Sequence, residues 1–151
     1  MFLIAERILL TLWVGGMWAI GYIVAPTLFA TLDDRALAGM LAGRMFTIMS
    51  YIGLVCGTGL LLSQLMYPLF AKIRQWRIWL IVAMLLITVI GEFILQPQMA
   101  VLKAAGIAEG SEAAKQFASL HGVASILFLA NSLAGLVLVI FGLRPSRTDQ
   151  V

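Results

Sequence analysis

Ile90-Gly91-Glu92-Phe93-Ile94-Leu95-Gln96-Pro97-Gln98 sets a carboxylate inside an apolar run, an amide one turn later, and then a proline. An ionisable side chain at the centre of a membrane helix costs at least ~2.5 kcal/mol, so Glu92 is by default a candidate functional residue. Glu92 and Gln96 are four apart and share a helix face. Pro97 has no amide proton to offer the carbonyl of Phe93. That oxygen is left beside the same face, which predicts a bend or a widened turn here rather than straight helix. The single histidine, His121, opens the next apolar segment.

The composition around this stretch fixes the solvent. The 151 residues are 62% hydrophobic and 11% charged, with mean hydropathy +1.04. A soluble domain carries ~25% charged residues, so this much apolar surface requires lipid. Four apolar segments, about 8–30, 45–70, 78–99 and 117–143, each supply the ~20 helical residues that cross a hydrocarbon core. The fold predicted is an all-α integral membrane protein, a four-span antiparallel bundle forming one domain over 1–151. The run from Ile8 to Leu32 far exceeds the ~7–15 residues of a signal-peptide core, so the first span is expected to stay uncleaved. Short links join the spans at Asp33-Asp34-Arg35, at Lys72 to Arg77 and from Lys103 to Gln116. Asp33 or Asp34 is placed to cap a short helix over 35–43 ahead of the second span.

A net charge of +3 is too small and too scattered for a nucleic-acid footprint. It reads instead as topology. Four spans put Arg7, Lys72, Arg74, Arg77, Arg144 and Arg147 on one side and Arg35, Arg44, Lys103 and Lys115 on the other. The link with three basic residues and no acidic one belongs in the cytoplasm, with both termini. Tyr67, Phe70, Trp76 and Trp79 then form an aromatic belt at the inner boundary. The lone Cys56 excludes an intrachain disulfide and most multi-cysteine metal sites. No phosphate-binding glycine loop, nucleophile elbow or His-Glu-x-x-His run occurs, which argues against hydrolase or kinase chemistry. One histidine excludes bis-histidine haem.

At 1.5 Å per residue, Glu92 lies roughly 10 Å and His121 roughly 6 Å inside the outer boundary. Gln96, Ser125 and Arg44 fall in the same outer half and predict a polar pocket open to the outside. Glu92 is its charged ligand or proton acceptor and His121 the partner; Gln96 and Ser125 orient, and Arg44 gates or neutralises. Glu92 and His121 are expected to act as one unit, coupled by about 0.5–3 kcal/mol. The plainer alternative is a structural pairing of Glu92 with Arg44 or His121. Met45, Met49 and Met99 with His121 offer soft ligands for copper(I), although neither copper nor haem is expected as a cofactor. Gly53 and Gly57 share a face for close helix packing, and Asn131 suits an interhelical hydrogen bond. Pro26 and Pro97 distort their helices. Glu6 and Gln64, toward the inner boundary, are expected to reach headgroups or water and carry no chemistry.

Leu12-Trp13-Val14-Gly15-Gly16-Met17-Trp18, Val24-Ala25-Pro26-Thr27-Leu28-Phe29, Ala42-Gly43-Arg44-Met45-Phe46, Glu92 to Pro97 and Leu120-His121-Gly122-Val123-Ala124-Ser125 resemble the membrane family called domain of unknown function 4149. That family is similar to eukaryotic transmembrane protein 205, which is associated with cisplatin resistance. The resemblance implies a four-helix protein of the bacterial inner membrane and no established activity. The first span is also similar to copper-resistance membrane domains, whose membrane histidines this chain lacks.

The function expected is non-enzymatic: binding or moving a small solute or cation through the outward pocket. An assembly subunit of a larger membrane complex and a metal- or haem-binding redox protein are the alternatives. The partners expected are the lipid bilayer and further copies of the chain or other membrane proteins, with no nucleic acid.

Overall fold

The computed structural model describes the backbone of residues 2–66, 71–104 and 110–141 and the side chains of 4–64, 75–104 and 110–141. Four helices are long and apolar enough to cross a membrane: Ile4–Thr31, Arg35–Gln64, Gln75–Ala104 and Glu112–Phe141. Among the described residues there is no strand. The chain is an all-α, multi-pass membrane protein. The first and second, second and third, and third and fourth spans pack as sequence neighbours. Trp18 and Tyr22 close the ring by meeting Ser132 of the fourth span. The end of the bundle holding Glu6 is called proximal below, and the end holding the Leu32–Asp34 link distal.

Local chemistry sets the helix starts. Asp34 Oδ1 accepts the amide protons of Ala36 at 2.8 Å and Leu37 at 3.1 Å, satisfying two of the donors a helix start leaves open. The helix it caps runs unbroken over Arg35–Met66. The separate short helix expected over 35–43 is therefore the beginning of the second span, since no proline intervenes to end it. Ser111 Oγ caps the fourth span by accepting from Ala114 at 3.1 Å. Gly110 precedes it at φ 79°, the left-handed turn that glycine adopts without strain. The third helix begins at Ala71, so the basic stretch from Lys72 to Arg77 is helix rather than link. Trp76 and Trp79 are exposed near that start. Tyr67, Phe70, Arg144 and Arg147 lie outside the described residues.

Each span buries one narrow seam. On the first it is Glu6, Leu10, Trp13, Val14 and Met17, and on the third Arg77, Ile81, Met84, Thr88, Leu95 and Met99. Both have the three-and-four spacing of one helix face. The main apolar core gathers Trp13, Leu60, Ile81, Met84 and Leu138. Trp13 reaches the second span because glycine stands opposite: a methyl on Gly53 would come within 2.5 Å of its Nε1, and one on Gly57 within 2.7 Å of Cη2. In lipid such close approach supplies the packing that water would otherwise drive.

Two spans are not uniformly α-helical. The first widens into π-helical turns over Thr11–Gly15 and Ala19–Val24, and the third over Gly91–Leu95. The second and third of these turns end just ahead of Pro26 and Pro97. A proline leaves the carbonyl four residues back without a donor, and a widened turn re-pairs the ladder around that gap.

Candidate functional site

Polar side chains fall in three layers along the bundle. The proximal layer joins three spans. Glu6 Oε1 accepts hydrogen bonds from Gln64 Nε2, from Arg77 Nη2 at 3.4 Å and from Ser63 Oγ at 3.5 Å. Glu6, Gln64 and Arg77 are 4%, 1% and 2% exposed. Glu6 and Gln64 therefore do not reach for headgroups or water, as the sequence led one to expect. They meet a buried guanidinium, because burying a charge requires a partner and further hydrogen bonds. Arg77 is similarly more than a topology signal.

The central layer is neutral. Asn131 Nδ2 donates to Thr88 Oγ1 at 3.3 Å and to Met17 Sδ at 3.8 Å. Asn131 thus makes interhelical hydrogen bonds, while its buried Oδ1 has no donor among the described residues. Thr88 lies about 16 Å along the helix from Arg77, near the middle of a bilayer.

The distal layer is open. A groove of about 470 Å³ runs between the second and third spans, bordered by Gly39, Gly43, Arg44, Ile48, Gln96 and Lys103. The glycines keep its wall low: a methyl on Gly43 would sit 3.5 Å from Gln96 Nε2. Lys103 Nζ donates to the Gly39 carbonyl at 3.5 Å and lies 5.3 Å from the centre of the Phe117 ring. Arg44 is exposed, and none of the side chains bordering the groove is acidic. From Gln64 to Arg44, and from Arg77 to Gln96, the helices rise about 30 Å, the thickness of a hydrocarbon core. The groove therefore sits at the membrane boundary opposite the Glu6 layer.

The residues singled out from sequence divide between this groove and other places. Arg44 and Gln96 border it. Glu92 is half-buried in the widened turn one helical turn deeper. His121 and Ser125 are exposed on the fourth span. The Ser125 hydroxyl donates to the His121 carbonyl at 2.8 Å, and the His121 ring stacks on Phe117 at 6.0 Å. Among the described residues no hydrogen bond or ion pair joins Glu92 to His121 or to Arg44; the ion pairs are Arg77–Glu6 and the exposed Lys115–Glu112. Met49 packs toward Gly16 and Met99 is buried, whereas Met45 is 42% exposed.

Three contributors escaped the sequence reading: Lys103, and the buried pair Glu6 and Arg77. The pair was within reach, since Arg77 lies on the seam that continues through Ile81, Met84 and Thr88. Lys103 falls in a link when the apolar run alone ends the third span at residue 99, whereas the helix continues to Ala104.

The family described as domain of unknown function (DUF4149) matches residues 8–108 of this chain. That match covers the first three spans, including both walls of the groove and all of the buried Glu6 layer except Glu6 itself. The chain belongs to this family of membrane proteins. No curated protein and no solved structure matches it.

Proposed function

We propose that this is a non-enzymatic membrane protein that holds a small anionic molecule in the groove between its second and third spans. One observation carries the reading: two cations, Arg44 and Lys103, and the amide of Gln96 border a cleft that has no carboxylate in its wall among the described residues. Arg44 and Lys103 supply charge, and Gln96 supplies a directional hydrogen bond. Glu92, one turn deeper, repels an anion from passing further into the span. The excess of lysine and arginine at the Glu6 end supports an orientation with both termini in the cytoplasm of a bacterial inner membrane and the groove on the outer face. Below the groove, Trp13, Leu60, Ile81 and Met84 are packed to 2% exposure or less, which favours binding over conduction through a single copy.

Native mass spectrometry of the protein purified in mild detergent tests this directly. A bound mass at one per chain is expected, and Arg44→Gln with Lys103→Gln should strip it. A single unliganded mass, together with no thermal shift in millimolar phosphate, acetate or glycerol phosphate, would sink the proposal.

A further inference from the structure

Resting on that reading, we infer that the occupant is the headgroup of an anionic phospholipid that enters the groove sideways from the bilayer. Two observations select a lipid over a soluble anion, and a third selects an anionic lipid over a zwitterionic one. The first is position. The groove runs from Gly39 to Ile48, about 13 Å of helix, and crosses the boundary marked by Arg44 and Gln96. The headgroup layer of one leaflet is about 5–8 Å thick, so this cleft spans a headgroup and the start of its acyl chains.

The second is the polarity of the two ends. Lys103 stands on the distal side of Gln96, while Ile48 stands one turn toward the membrane centre from Arg44. Ile48 is 55% exposed, so beside Thr47 the lower wall presents an apolar side chain on the side facing the membrane centre. A soluble anion gains nothing from such a wall, whereas an amphiphile lays its chain along it.

The third is charge. Phosphate is recognised by cations, and Arg offers a planar fork of donors while Lys offers a point charge. Arg44 has no ion-pair partner among the described residues. Lys103 is directed back over the groove by its hydrogen bond to Gly39. An anionic lipid carries net charge that a zwitterionic one lacks, and each basic residue near such a surface adds to the attraction.

The experiment compares nanodiscs of phosphatidylcholine with and without phosphatidylglycerol, following thermal unfolding of the full chain. Soluble glycerol phosphate added to the phosphatidylcholine discs forms a third arm. Phosphatidylglycerol should raise the melting temperature by about 4 °C, as occupancy well above the dissociation constant does for a chain of this size. Glycerol phosphate should raise it by less than a quarter of that. Arg44→Gln with Lys103→Gln should abolish the shift, and so should Gly43→Leu, which fills the groove and leaves both charges. Each variant's shift is measured against its own melting temperature in phosphatidylcholine alone. An equal shift from glycerol phosphate overturns the lipid inference and leaves the anion-binding reading standing. No shift in either arm overturns both. A shift that survives the double charge variant places the lipid on another surface and overturns the inference, whether or not Gly43→Leu folds.

Discussion

Arg77 Nη2 lies 3.4 Å from Glu6 Oε1, tying the third span to the first where both side chains are at most 5% exposed. Gln64 of the second span hydrogen-bonds the same carboxylate oxygen. One acidic group therefore holds three helices at the proximal end, and the main apolar core begins one turn above it with Leu10 and Ile81.

Removing one partner leaves the other charge buried. Glu6→Leu or Arg77→Leu alone is expected to destabilise the bundle by about 3–5 kcal/mol, whereas the double Leu variant should recover most of that loss. Chemical unfolding in detergent measures all three. Additive losses in the double variant would show that the two residues stabilise the fold independently.

The spans were legible because their signal is carried by many residues, and no single substitution in Ile78 to Met99 would alter the reading. Helix limits were not. An apolar count stops at the first charged residue, yet Asp34 caps a helix that runs from Arg35 through Arg44, and Lys103 extends the third span beyond the apolar run. Depth along each helix was also readable, which is why Arg44 and Gln96 fall at one level. Facing direction was not. His121 and Ser125 are exposed and do not border the groove, and the buried side of the fourth span is set by Asn131, Ser132, Gly135 and Leu138 further along it. Proximity needs depth, face and neighbour together, and sequence supplied only the first.

Glycines separate packing from permissiveness. Gly57→Ala drives a methyl to 2.6 Å from Leu85 Cδ2 and 2.7 Å from Trp13 Cη2, so a loss of about 1–3 kcal/mol is expected. Gly122→Ala meets nothing within 4 Å and sits within a helix, so it should be neutral or stabilise by up to about 1 kcal/mol. Equal thermal shifts for the two would mean that Trp13 does not pack as described.

Glu92 and His121 share no hydrogen bond or ion pair among the described residues, and His121 is exposed. Glu92→Gln and His121→Ala should therefore add, to within about 0.5 kcal/mol, in a double-mutant cycle on thermal stability. A coupling above about 1 kcal/mol would show that the two meet in the membrane after all.

Topology is the premise of the outward groove. A reporter fused after Arg147 should read cytoplasmic and one inserted at Gly110 external, from the lysine and arginine excess at the Glu6 end. The reverse pattern would turn the groove to the cytoplasmic leaflet and move the lipid it samples to that side.

Asn131 offers a sharper test, because its two ends are satisfied so differently. Thr88 Oγ1 donates to the Met84 carbonyl at 2.9 Å, so its proton is committed and it can only accept from Asn131. That fixes the amide orientation, with Nδ2 on Thr88 and Met17 and Oδ1 buried without a donor among the described residues. Asn131→Leu removes the interhelical hydrogen bonds to Thr88 and Met17, each worth about 0.6 kcal/mol on average in membranes, together with an unsatisfied oxygen that costs about 1–3 kcal/mol. The expected outcome is unchanged or slightly raised stability. Asn131→Asp should act oppositely. As a carboxylate it exchanges the only donor for a second acceptor facing Thr88 and adds charge near mid-membrane, a loss of at least about 2.5 kcal/mol. Unfolding of both variants in the same detergent decides. If Leu costs as much as Asp, then Oδ1 has a partner that the helices themselves do not provide, and the centre of the bundle holds a bound water or ligand.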